Sequence, residues 1–256
     1  MARELARRGH SIVVMGRNNQ KLANTKRSIE AEPNVGEVIT VCYDLSDPSP
    51  AEYERIKQEI DPDKRDIGIL INSAGTGPYC IDFFDKHDPK HMHESVNITV
   101  ISGIYLTHMI VPGMLTRERG LIVNISSTLG ELPSANFLGV YSPIKHFTSR
   151  WSQQLYNENI QFSRPIDVIT LHTGFVSTKL LNQHSPSRPV AVDVDKYAKS
   201  AINALSARPK TMSGYWAHAL LHNLGLVAAF GGFWEYVYVF IRSNFQSSSL
   251  PSTRKR

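Results

Sequence analysis

The chain has 256 residues, 41% of them hydrophobic and 20% charged, which is enough for one large α/β domain with its own core and excludes global disorder. Its formal charge is +5, but Lys and Arg are scattered, with local runs only at Arg3-Arg7-Arg8 and Arg254-Lys255-Arg256. No nucleic-acid motif accompanies the charge, so nucleic acid is not an expected partner; an anionic cofactor, a CoA ester or a membrane surface fits a mildly basic chain equally well.

MARELARRGH opens the chain as an amphipathic helix already in progress, and SIVVMG (11–16) follows as a short buried strand. Residues 21–32 read as a helix, 37–46 as a strand, 51–60 as a helix and 67–75 as a strand that ends in a turn. A long, largely apolar helix is expected over 92–115, a strand over 120–127, a helix over 141–159 and a strand over 166–174. A polar, proline-containing loop then covers 182–196 and a helix 195–207. Residues 218–245 are apolar and aromatic, interrupted by His222, Gly231-Gly232 and Glu235. The alternation of strands and helices predicts a doubly wound parallel sheet, a Rossmann-like α/β fold, with ligands at the carboxyl ends of the strands. Residues 1–181 form the expected core and 182–245 a helical extension of the same domain; 246–256 is a disordered tail.

The sharpest chemical signal is Tyr141 and Lys145, four apart and so one turn apart on a helix face. An ammonium beside a phenol lowers its pKa and makes proton exchange with a carbonyl practical. Ser126 and Ser127 end the preceding strand, where a hydroxyl can hold that carbonyl. Asn72-Ser-Ala-Gly75 offers small residues against which a flat ligand can lie. Asp44 ends the second strand, and Arg17 follows the first, where an arginine favours a ribose 2′-phosphate. Cys42 and Cys80 make neither a disulfide framework nor a metal set, no metal site is expected, and His87, His91 and His93 read as surface residues.

Together these motifs resemble the short-chain dehydrogenase/reductase family, and more narrowly its 17β-hydroxysteroid dehydrogenase and very-long-chain 3-oxoacyl-CoA reductase group. DIGILINSAG, MIVPGM, IVNISSTLGELP, VYSPIK, GFVSTKL and KSAINALSARPKTMSGYWAHALL carry the resemblance. It implies catalytic Tyr141, Lys145 and Ser127, and NADPH held by Arg17, Asp44, Asn72, Tyr141, Lys145, Val176 and Thr178. It implies reduction of a lipid-like ketone, an acyl-CoA or a steroid, at the cytosolic face of the endoplasmic reticulum membrane, with a homodimer as an option. In the family's long helix an Asn serves a proton relay; here Asn97 lies near that place and Thr99 on it.

The chain departs from the family in showing neither the first strand nor the glycine-rich turn that holds the pyrophosphate. That strand is the central one, so a gap between two halves of the sheet is expected, and an inactive truncated form acting through protein or membrane contacts is the alternative reading. Aromatics between Trp216 and Phe245 suggest that the C-terminal segment lies on or dips into a membrane.

Overall fold

The structure, a computed structural model, describes residues 1–62, 64–77, 81–132, 137–178 and 191–229, without the side chains of Leu221 and of 225–229. Two parallel sheets form its spine. β1 (Ile12–Gly16) pairs with β2 (Val38–Cys42), while β3 (Ile69–Asn72), β4 (Gly120–Ser127), β5 (Ile166–Thr173) and β6 (Thr211–Ser213) lie side by side in chain order. No pairing joins β1 to β3 among the described residues, so the expected gap is present.

Helices start after Asn18, Asp88 and Asp193, whose side chains accept from the unpaired N–H groups of the first turn. α1 (Ala2–Arg7) precedes β1, and α2 (Asn19–Glu30) begins at Asn18, whose side chain accepts from the Lys21 N–H. α3 (Pro50–Ile60) has proline in its first turn and stops at Asp61, in the left-handed region at φ 48°. α4 (Pro89–Thr116) is capped by Asp88 and contains a π-helical turn, Asn97–Ile101. α5 (Tyr141–Gln161) lies along β4 and β5, α6 (Val194–Leu205) is capped by Asp193, and α7 (Trp216–Ala229) follows β6.

Among the described residues three apolar clusters fill the layers between helices and strands, one of them Ala6, Ile12, Ile29 and Val38 between α1, α2 and the β1-β2 pair. Val41, Tyr53, Ile56, Ile110, Met114, Ile122 and Val168 pack beneath α3 and α4. Val123, Ile169, Leu171, Ala201, Ile202 and Leu205 pack beneath α6. β4 and β5 are buried on both faces, as a sheet covered by helices requires.

Some sequence expectations need correction. β2 and β3 are shorter than the strands read over 37–46 and 67–75, because the backbone leaves the sheet where Asp44 and Ser73 begin the site. β6 has no counterpart in the sequence reading; three residues are too few for a periodic signal. His87 is buried, its Nε2 3.1 Å from the Asp82 carbonyl oxygen, because the loop carrying Gly139 closes over it. The aromatic segment beyond Ala229, the tail, Cys80 and most of the 182–196 loop lie outside the described residues.

Candidate active site

The strand ends and the start of α5 bring the catalytic candidates together. Ser127 is the last residue of β4, and its buried hydroxyl accepts from the Leu129 N–H at 3.2 Å. Tyr141 is the first residue of α5, and its phenol lies near enough to Ser127 for that side chain to favour the phenolate. Lys145 follows one turn later and is buried. Its Nζ donates to the Ile125 carbonyl at 3.0 Å.

Neighbouring polar groups hold this pair of elements in register. The Ser126 hydroxyl donates to the Lys145 carbonyl at 2.8 Å and accepts from Ser149 at 2.8 Å. Ser126 therefore clamps α5 to β4, and Ser127 is the serine left facing Tyr141. Gly130 makes the clamp possible: a Cβ there would stand 2.8 Å from the Lys145 backbone. Deeper, Asn124 donates to Ser152 and accepts from Asn72, which also donates to Thr107 at 3.0 Å.

Burial governs the charges. It raises the Tyr141 phenol above its ordinary value, against the opposing hydrogen bond from Ser127. This corrects the expectation of a phenol lowered by Lys145, because the lysine turns its Nζ to the Ile125 carbonyl. Burial also pushes the Lys145 ammonium down to about 8.

The cofactor candidates fall at two ends of the site. A Cβ on Gly75 would stand 3.4 Å from both Lys145 Nζ and Thr99 Oγ1, so glycine keeps the space between those side chains clear. Thr99, on the π-helical turn, thus reaches the Lys145 side of the site. Asn97, on the same turn, is buried and donates to the Ser46 carbonyl at 2.9 Å. At the other end, an exposed Arg17 faces Asp44 at 3.6 Å. Asp44 is desolvated, which works to raise its carboxyl, but the Ser46 N–H and hydroxyl together with Arg17 outweigh this and hold it below the ordinary value. Asn72 points inward to Asn124 and Thr107, so its side chain braces the wall rather than facing outward. Val176 pairs with Val192 through a single bridge, and the Thr178 N–H returns to the Val176 carbonyl at 2.7 Å, which shapes the loop after β5.

One group was missed by motif spacing. His172, opposite Ser126 in the sheet, stacks on His222 of α7 at 5.2 Å, and its Nδ1 lies 3.9 Å from Glu131 Oε1. Burial holds both histidines below their ordinary values, with Glu131 pulling the other way. Only the fold brings residues 131, 172 and 222 together, so no local pattern reveals them. Among the described residues no group of three or more His, Cys, Asp or Glu could hold a metal ion.

The family model described as short chain dehydrogenase matches residues 1–189. The very-long-chain 3-oxoacyl-CoA reductase of Rattus norvegicus is 32% identical over 259 residues, covering 99% of this chain and 78% of the relative. The hydroxysteroid dehydrogenase-like protein 1 of Gallus gallus is 30% identical over 228 residues, covering 88% and 66%. The solved short-chain dehydrogenase of Sphingobium yanoikuyae, in complex with NADPH, superposes with a TM-score of 0.73 at 22% identity, covering 99% of this chain and 93% of that one. With the serine, tyrosine and lysine placed at the ends of a parallel sheet, the chain belongs to the short-chain dehydrogenase family of oxidoreductases.

Proposed function

We propose that the chain uses NADPH to reduce the ketone of a 3-oxoacyl-CoA or a steroid. The observation that carries this reading is the meeting of Ser127, Tyr141 and Lys145 at the carboxyl end of β4, beside the clear space at Gly75. The residues present fit the two ends of the cofactor. Arg17 would hold the 2′-phosphate beside Asp44, Lys145 the ribose near the nicotinamide, and Val176 and Thr178 the carboxamide. Asn72 would support the adenosine half through the wall it braces. When bound, NADPH supplies the hydride for the carbonyl carbon.

This chain's own groups handle the oxygen and its proton. Ser127 donates a hydrogen bond to the carbonyl oxygen and fixes it in front of Tyr141. Tyr141 delivers its phenolic proton to that oxygen, so ketone, hydride and proton give the alcohol. By turning its Nζ from the Ile125 carbonyl toward Tyr141, the Lys145 ammonium would make the phenolate left behind less costly. The substrate class is supported by the names of the relatives, a reductase of 3-oxoacyl-CoA and a hydroxysteroid dehydrogenase-like protein. Residues 182–245 would extend the 1–181 core over this substrate. Exposed Ile104 and Tyr105 on α4 and Phe147 on α5 supply an apolar surface for a homodimer. The proposed location, the cytosolic face of the endoplasmic reticulum membrane, rests on the family resemblance.

Tyr141→Phe tests the reading. With millimolar NADPH and a 3-oxoacyl-CoA, the variant is expected to lose about 10²–10⁴ in kcat with its thermal midpoint unchanged, the usual worth of a general acid. Reduction by the variant at the unmodified rate would overturn the assignment. A second reading, a non-catalytic chain acting through protein contacts, is favoured by the split sheet. Ketone turnover by the unmodified chain contradicts it.

A further inference from the structure

We infer that His218 of α7 is a positioning residue for the proposed reduction: as a neutral imidazole it clamps the loop after β5, which carries Val176 and Thr178, and uptake of a proton opens the clamp. Its bearing on catalysis rests on the proposed role of that loop at the nicotinamide carboxamide. Three observations carry the clamp itself: the partners of the two ring nitrogens, the close fit of the ring, and the bonding of the loop it holds.

The ring nitrogens come first. His218 lies in the first turn of α7 and is 1% exposed. Its Nδ1 accepts from the Gly174 N–H at 3.3 Å, and its Nε2 donates to the Phe175 carbonyl at 3.0 Å. A backbone N–H can only donate and a carbonyl can only accept, so these partners require one bare nitrogen and one that carries hydrogen. That is the neutral ring. An imidazolium holds a proton on both nitrogens, and its Nδ1–H would face the Gly174 N–H.

The ring is closely fitted. A Cβ on Gly174 would stand 2.7 Å from His218 Cδ2, so glycine lets the imidazole lie against the backbone. The rings of Tyr197 on α6 and of Tyr215 just before α7 lie 5.5 and 5.9 Å away, centroid to centroid. The Tyr197 hydroxyl is in turn 2.8 Å from Thr173 Oγ1 at the end of β5. One turn further along α7, His222 stacks on His172 of β5, and Glu131 acts on that pair. Among the described residues no charged side chain acts on His218: burial lowers its ring, and the Phe175 carbonyl alone opposes this. The ring therefore stays below its ordinary value of 6.5 and is neutral at about pH 7. A released ring takes up a proton near its ordinary value and the clamped ring does not, so falling pH favours release.

The loop converts the clamp into an effect on the site. The Phe175 carbonyl also accepts from the Val192 N–H at 3.0 Å, and the Ser177 N–H donates to the Val192 carbonyl at 2.8 Å. His218 thus holds the same oxygen on which the bridge between Val176 and Val192 is built. The Thr178 N–H depends on the Val176 carbonyl one step further on. Losing both His218 bonds frees Gly174 and Phe175, and with them the two residues proposed to face the cofactor.

Two measurements on the 256-residue chain test this, the first without cofactor. Amide hydrogen exchange is expected to show protection at Gly174 that is steady above about pH 7 and falls about tenfold per pH unit below about pH 6.5, the slope of one proton. His218→Gln keeps one acceptor and one donor but does not titrate, so protection should remain and the slope should vanish; His222→Gln should keep the slope. In reduction of a 3-oxoacyl-CoA at about pH 7, His218→Leu is expected to raise the KM for NADPH about tenfold with a smaller change in kcat, and His218→Gln to restore most of it. Protection at Gly174 without pH dependence would overturn the clamp, as would a slope that survives His218→Gln and disappears in His222→Gln. Exchange as expected with equal KM in the unmodified chain and His218→Leu would overturn the positioning role. Exchange as expected with no ketone turnover by the unmodified chain would support the clamp and overturn the reductase reading instead.

Discussion

At the scale of single residues, two adjacent serines at the end of β4 have different work. Ser126 spends its hydroxyl on the Lys145 carbonyl and Ser149, while Ser127 meets Tyr141. The sequence offered both serines, and it resolved the tyrosine and lysine well because a four-residue spacing on a helix is a local property. It could not reveal that Lys145 would be buried, since that depends on β4 behind it. The burial has a pH signature. The Lys145 ammonium is held at about 8, against an ordinary value of 10.5. Between those values the unfolded chain keeps the proton and the folded chain loses it, so this group makes the fold more stable as pH rises through the window. Its burial costs ~3 kcal/mol below the window. Comparing urea unfolding at about pH 7 and about pH 10, the unmodified chain should gain up to ~3 kcal/mol relative to Lys145→Met; equal pH dependence would show that the lysine is solvated. At the other end of the site, Arg17 is exposed and faces Asp44 at 3.6 Å, its one ion pair among the described residues. Arg17→Asp is expected to lower the ratio of kcat/KM for NADPH over NADH by tenfold or more. An unchanged ratio would mean that Arg17 does not touch the 2′-phosphate.

At the scale of elements, segments with a repeated apolar pattern were legible and those set by packing were not. The helix read over 141–159 is observed as Tyr141–Gln161, and the strand over 120–127 as Gly120–Ser127. β6 and the π-helical turn of α4 were not, since each is set by packing rather than by a repeated pattern. By length and composition α4 could cross a membrane, with a mean hydropathy of 1.6. Yet it buries Ser95, Asn97, Ser102 and Thr107, all hydrogen-bonded, and it covers the sheet through Ile110 and Met114. The better membrane candidate is α7, where Trp216, Leu220 and Leu224 recur every four residues and are 70%, 52% and 57% exposed. That spacing makes an apolar stripe that is exposed among the described residues. Changing all three to serine should cut co-flotation with phosphatidylcholine–phosphatidylserine vesicles at least tenfold, since each side chain contributes ~1.5–3 kcal/mol when buried. Equal flotation by the variant would remove α7 as the contact.

At the scale of the whole molecule, the sheet is split where the sequence lacks a recognisable first strand, and β1-β2 stands apart from β3 to β6. This was legible through the family resemblance, which places a first strand at the centre of the sheet. The Glu131, His172 and His222 cluster was not, because three distant segments must fold before it exists. Polar ties across the gap, Arg65 to Glu37 and Asn97 to the Ser46 carbonyl, keep the halves aligned. The catalytic candidates lie on the four-stranded half, from Gly75 after β3 to the loop after β5, and so the proposed proton transfer needs only that half to be rigid. The proposed reaction moves a hydride onto a ketone and a proton from Tyr141 onto its oxygen. Mass spectrometry of the product formed from a 3-oxoacyl-CoA and NADPH deuterated at its transferable position tests this most directly. The expected product of the unmodified chain is a 3-hydroxyacyl-CoA with deuterium on the carbinol carbon, and Tyr141→Phe is expected to lose it. Undeuterated product, or labelled product formed equally by Tyr141→Phe, would contradict it.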